Sequence, residues 1–329
     1  MQTHGHKVKI YRTSTLILCA VCFAAYLVSY LNAGAGSDYF HPDQALPKIA
    51  GALSVVSVLW FLSALVWIPK NTLPAEDFMR SKLCIAAVPP IIGTLGAGAL
   101  GLTYFSLSDL AAVLTKQQPI GTNAICFTLV ILGTLGSVIY YALRAINASG
   151  AAEVTVIFGL GPVALLTGLC GLTYFESDHH MNAPAKLALQ LAFVATMLFL
   201  TAEMRYTLHR AQPRRYLASA CLGLFSNTCA LAGAFPVIIS PAQAVHGTRI
   251  LGFALLCLCN GVYIAYRLFA FTAYCNKPTT PDTPEISNHT DTPDTPEISN
   301  PTDTPDTPEQ TQGKDDQEDG CEQQDPMAS

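Results

Sequence analysis

Apolar runs of about twenty residues recur eight times along this chain, each set off by a short polar connection: 14–33, 49–68, 83–106, 122–143, 152–175, 185–204, 216–239 and 249–272. A hydrocarbon core of about 30 Å is crossed by roughly 20 mostly apolar residues at about 1.5 Å of helical rise each. Each run therefore suffices for one crossing. None carries a charge in its middle third, as exposure to lipid requires. The pattern predicts an all-α polytopic membrane protein with eight transmembrane helices within 14–272. A cytoplasmic segment, 1–13, precedes them, and a tail, 273–329, follows that can span nothing.

Charge divides the chain in the same way. From Ala273 onward fourteen acidic residues face only Lys277 and Lys314, a net of −12, while the remainder has sixteen basic residues against nine acids, a net of +7. Charged residues make up only 12% of the chain, about half of the roughly 25% usual in soluble domains. Basic residues in the connections orient the spans. With both termini inside, the cytoplasmic side receives fourteen, among them Arg12, Arg144, Arg205, Arg214 and Arg267. The outer side receives Lys48, Lys116, Lys186 and Arg249. A multi-pass protein of the cell membrane is the expectation. Lys7–Arg12, an apolar run and Ala33-Gly34-Ala35 together resemble a cleavable signal peptide, but Ser14–Leu31 is long for one, and the repeat described next needs this helix.

Two spans end alike, Gly101-Leu102-Thr103-Tyr104-Phe105 and Gly171-Leu172-Thr173-Tyr174-Phe175, with Tyr39-Phe40 and Phe235-Pro236 at similar places in the outer copies. Each is followed by an outer loop and a helix ending near a Tyr and an Arg: Tyr140 to Arg144, Arg205-Tyr206, and Tyr263 to Arg267. An even number of spans per unit predicts four tandem parallel hairpins. Within the spans, Gly93, Ala97 and Gly101, and again Gly159, Gly161, Gly168 and Gly171, supply the small-residue faces on which membrane helices approach closely.

Candidate binding groups are few. Pro89-Pro90 and Gly161-Pro162 are potential helix interruptions of the kind that mark a transporter's midplane site. Asn227 and Asn260 lie at comparable depth, and Gln190 lies in the outer third of its span; a buried amide needs a partner or a wet cavity. A direct Asn227–Asn260 hydrogen bond is one reading. The other makes Asn227, Asn260, Gln190, Pro90 and Pro162 the lining of a small-molecule site. On the outer side His41, Asp178, His179, His180 and His246 combine imidazole and carboxylate groups, a donor set for a divalent metal, at spacings that are not diagnostic. The eleven cysteines, Cys19 and Cys22 included, lie in apolar surroundings or the tail and act as small hydrophobes.

Signatures of zinc proteases, serine hydrolases, P-loop ATPases and dinucleotide-binding enzymes are absent, so no enzyme activity and no cofactor are expected. In the tail, Thr280–Asp291 recurs as Thr292–Asp303 with His289 replaced by Pro301. Its Pro- and acid-rich composition predicts a disordered segment that stands off anionic lipid. The expected partners are the lipid bilayer and a small-molecule ligand, with no nucleic acid. The functional reading is a small-molecule permease or transport-related bundle. Its rival is a non-transporting sensor or an assembly or scaffold protein that signals through cytoplasmic loops and tail.

Overall fold

The computed structural model describes residues 2–33, 40, 43–68, 83–104, 122–146, 152–175, 183–208, 212–239 and 244–275, and these contain eight α-helices and no strand. They are α1 (Gln2–Ala33), α2 (Ala45–Trp67), α3 (Leu83–Tyr104), α4 (Thr122–Ile146), α5 (Ala152–Phe175), α6 (Pro184–Thr207), α7 (Pro213–Ile239) and α8 (Ala244–Cys275). Seven are long and apolar enough to cross a membrane. In the eighth, α3, the apolar stretch among the described residues is the shorter Ala86–Ala99. The predicted tail lies outside the described residues from residue 276 onward.

The helix that carries the first predicted span also takes in the residues ahead of it, because α1 is helical from Gln2. The reason is apolar contact: Val8 and Tyr11 are buried, and the Tyr11 ring stacks on Trp60 of α2 at 5.1 Å. The prolines, in turn, interrupt nothing, since Pro89 and Pro90 lie inside α3 and Pro162 inside α5. Neighbouring helices in a membrane bundle accommodate the backbone groups a proline frees. A Cβ built on Gly136 of α4 would lie 3.9 Å from the Phe158 carbonyl, the one that Pro162 leaves without its amide donor.

Pair contacts fix an up-and-down arrangement. Along α1 and α2, Tyr11 meets Ser63 and Tyr26 meets Ser54, so the two run antiparallel. Cys126, Gly136 and Gly161 with Gly168 set α4 against α5 in the same sense. Between α7 and α8, Tyr216 meets Phe271 and Asn227 meets Gly261. Most extensive is the contact of α4 with α5, while α3 packs between α4 and α8, and α2 rests mainly on α1 and α7.

The predicted small-residue faces do the packing. A Cβ on Gly161 would stand 2.6 Å from the Ser137 amide nitrogen, and one on Gly168 would stand 2.7 Å from the Cys126 carbonyl oxygen. In α3, Gly93 abuts Cys259 of α8 and Gly98 abuts Thr134 of α4. The partner glycines Gly133 and Gly136 of α4, which the sequence reading passed over, complete the α4–α5 contact. Side-chain hydroxyls add little polarity. Thr15, Ser29, Ser57, Ser137, Thr173, Thr196 and Thr272 each donate to the carbonyl four residues back, the intrahelical bond by which Ser and Thr satisfy themselves in helices.

Candidate functional site

One end of the bundle is built around a carboxylate. Glu203, four residues before the end of α6, is completely buried. The Arg267 Nε of α8 lies 2.7 Å from its Oε1, and the Arg144 Nη2 of α4 donates to the same oxygen at 3.2 Å. The Tyr263 hydroxyl donates to both carboxylate oxygens at 2.9 and 3.0 Å, and the Tyr140 hydroxyl to Oε2 at 3.5 Å. Arg267 is 0% and Arg144 8% exposed.

The sequence places these groups by a shared spacing. Tyr140 and Arg144, Phe199 and Glu203, and Tyr263 and Arg267 are each i, i+4 pairs, which share one face of a helix. Helices α4, α6 and α8 thus present an aromatic and an ion in the same order, with Glu on α6 and Arg on the other two. Aromatic rings enclose the ions: Tyr141 packs edge-on against Tyr140 and Tyr263, and Phe199 touches both Tyr263 and Tyr216. Removed from water, the charges interact strongly, but desolvation offsets much of that gain.

Arg144 and Arg267, which the sequence assigns to the cytoplasmic side, are buried and ion-paired. Lys186, assigned to the outer loops, is likewise buried in α6, at 5% exposure. The same end of the bundle carries further ties. Arg214 of α7 donates to the Leu65 carbonyl in the last turn of α2 at 3.1 Å, Trp60 donates to Ser14 at 2.8 Å, and the Arg12 guanidinium sits 4.9 Å above the Phe269 ring.

Toward the other end a cavity of about 630 Å³ opens between α2 and α6 over α7. Val55, Val58 and Leu59 form one wall and Leu187, Leu191, Val194 and Leu198 the other. Leu222, Phe225, Ser226 and Cys229 form the floor, and Tyr26 and Tyr30 of α1 lie at one side. Of its four side-chain hydroxyls two are spent on each other, since the Tyr26 hydroxyl and Ser54 Oγ are 3.0 Å apart and Ser54 donates to the Ala50 carbonyl.

The predicted midplane residues do not come together in this groove. Asn227 is fully buried, and its Nδ2 donates to Thr196 Oγ1 and to the Gly223 carbonyl, both at 2.8 Å, rather than to Asn260. Because Thr196 donates its own hydrogen to Ala192, it accepts from the amide, and two acceptors fix the amide's orientation. Asn227 Oδ1 then has no hydrogen-bond partner among the described residues. Asn260 is 4% exposed in α8. Gln190 is half-buried, with its Nε2 unpartnered among the described residues. Neither amide of α7 or α8 lines the groove, and Pro90 and Pro162 do not line it either. Of the proposed metal ligands, His41, Asp178, His179 and His180 lie outside the described residues, and His246 is placed in α8 without a described side chain. Among the described residues no group of His, Cys, Asp and Glu has the arrangement of a metal site.

Comparison with models of known protein families, with curated proteins and with solved structures gives no match. Taken together, the chain is a membrane-spanning helical bundle with a buried ion cluster at one end and an apolar groove toward the other.

Proposed function

We propose that this bundle is transport-related: a permease of the cell membrane, with both termini in the cytoplasm and all eight helices crossing the bilayer as four tandem hairpins. The observation that carries the reading is the asymmetry of the bundle. Polar ties gather at the Glu203 end, while toward the other end α2 and α6 stand apart over α7. Ionisable groups inside membrane segments are costly and mark functional machinery. A buried ion cluster holds a unique packing more readily than it adds stability, which suits the closed end of a bundle with two arrangements. In the proposed orientation that end faces the cytoplasm.

The apolar lining points away from ions and polar solutes and toward amphiphilic molecules. One observation favours the rival sensor or scaffold reading: Asn227 is sealed among Thr196 and Gly223, so no polar path leads inward from the groove. Reconstituted vesicles separate the two. Purified protein is expected to accelerate movement of a fluorescent phospholipid analogue across the bilayer relative to protein-free vesicles, and Glu203→Gln to change that rate. Vesicles with and without protein moving tracers at equal rates, for this analogue and for a panel of amino acids and sugars, would replace the permease reading by the sensor reading.

A further inference from the structure

We propose that the groove between α2 and α6 is a binding site for one acyl chain of a bilayer phospholipid, which enters sideways from the membrane. This deepens the transport-related reading by naming the ligand class, and it rests on that reading only for what happens after binding. The groove runs from Pro47 to Leu59 on α2 and from Pro184 to Leu198 on α6, roughly 20 Å at about 1.5 Å per residue. That exceeds the depth of one leaflet's hydrocarbon, about half of the roughly 30 Å core. Its volume of about 630 Å³ falls within the range of about 300–1,000 Å³ typical of ligand pockets.

Three features select a hydrocarbon chain. Val55, Leu59, Leu187 and Leu191 on the rims are each half or more exposed, so the slot is continuous with the lipid-facing surface of the bundle. A Cβ built on Gly51 meets nothing within 4 Å, so the α2 wall is recessed where a chain would lie. The Ser54 and Tyr26 hydroxyls bond to each other, which leaves little polarity to recognise a head group inside the slot. The head group belongs at the end lined by Phe40 and Pro47, where Lys48 is exposed on α2 and offers a cation to the lipid phosphate.

The test uses full-length protein in phosphatidylcholine vesicles doped with a phosphatidylcholine whose acyl chain carries a photoreactive diazirine. After irradiation, adducts are mapped by peptide mass spectrometry. The groove residues between Gly51 and Leu59 and between Leu187 and Leu198 are expected to be labelled several-fold above Leu132 and Leu135, which are comparably exposed on α4. Gly51→Phe, whose Cβ meets nothing within 4 Å, puts a ring into the recess and should abolish the excess while leaving α4 labelling unchanged. Leu191→Trp, filling the slot from the opposite wall, should do the same, which guards against a folding defect in either variant. Labelling of groove and α4 at equal density, or an excess that survives both variants, overturns the proposal. Groove labelling with no lipid movement in the vesicle assay upholds the site and removes the permease reading; lipid movement without groove labelling does the reverse.

Discussion

Replacing Glu203 by glutamine preserves the length of the side chain and removes the one negative charge among the described groups between Arg144 and Arg267. The amide's carbonyl oxygen can still face Arg267 and Arg144, but its NH₂ takes the place of Oε2, where the Tyr263 and Tyr140 hydroxyls at 3.0 and 3.5 Å must accept instead of donate. Breaking a buried ion pair by removing one partner costs about 3–5 kcal/mol, because the other charge is left uncompensated. Here two guanidiniums lose the same partner, so the upper part of that range is expected. The reverse change is instructive. Glu203→Leu combined with Arg144→Leu and Arg267→Met removes every charge at once and should cost far less, since a well-packed apolar replacement of a buried ion cluster is often neutral. Reversible unfolding in mixed micelles, followed by circular dichroism, measures both. A double-mutant cycle between Glu203→Gln and Arg267→Gln should give a coupling energy within the range of about 0.5–3 kcal/mol for residues in one network. Additive single effects, or a triple variant worse than Glu203→Gln, would refute the idea that these residues act as one electrostatic unit.

Other consequences are checked in the same assay. Gly161→Ala drives a methyl into the backbone of α4 at Gly136 and Ser137 and should cost at least about 1–3 kcal/mol, as overpacking does. Gly51→Ala, facing open space, should be neutral or gain up to about 1 kcal/mol of helix propensity; a loss there would mean that the α2 wall is not recessed at Gly51. Asn227→Leu removes an acceptor that has no partner among the described residues and leaves Thr196 bonded to Ala192, so stability should stay within about 1 kcal/mol of the parent. Thr196→Ala, which strands an amide hydrogen, should cost about 1–3 kcal/mol. A large loss in Asn227→Leu with little effect of Thr196→Ala would instead place a bound polar partner at Asn227 Oδ1.

The helices were legible because the bilayer sets a length scale that the apolar runs must meet, and the glycine faces of α3 and α5 because close approach needs small residues at helical spacing. Extending α1 to Gln2 was not legible: Lys7, Lys9 and Arg12 look like a solvated anchor, and only contact with Trp60 and Ser63 of α2 reveals what Tyr11 does. Glu203 was missed for a similar reason. A charge near the end of an apolar run reads as interfacial, and nothing local says whether it faces headgroups or two arginines from other helices. The available signal was the aromatic-to-ion spacing of four residues shared by Tyr140 with Arg144, Phe199 with Glu203 and Tyr263 with Arg267. The groove leaves no local mark at all, because it arises from the separation of α2 and α6, and their lining residues are ordinary lipid-facing aliphatics. Asn227 and Asn260 drew attention as midplane amides, yet the Asn227 NH₂ is held by a threonine and a carbonyl of its own helix, away from the groove.

The central claim is that the Glu203 cluster holds α4, α6 and α8 together at the closed end of a bundle with two arrangements. Spin labels at Ile146, on the exposed end of α4, and at Leu208, just past α6, report the separation of those ends by pulsed electron resonance in lipid nanodiscs, with the native cysteines replaced. The account predicts a narrow distance distribution in the parent and a longer or two-component one in Glu203→Gln, restored toward the parent when Arg144 and Arg267 are also made apolar. Superimposable distributions in the parent and Glu203→Gln, with the variant folded, would contradict it.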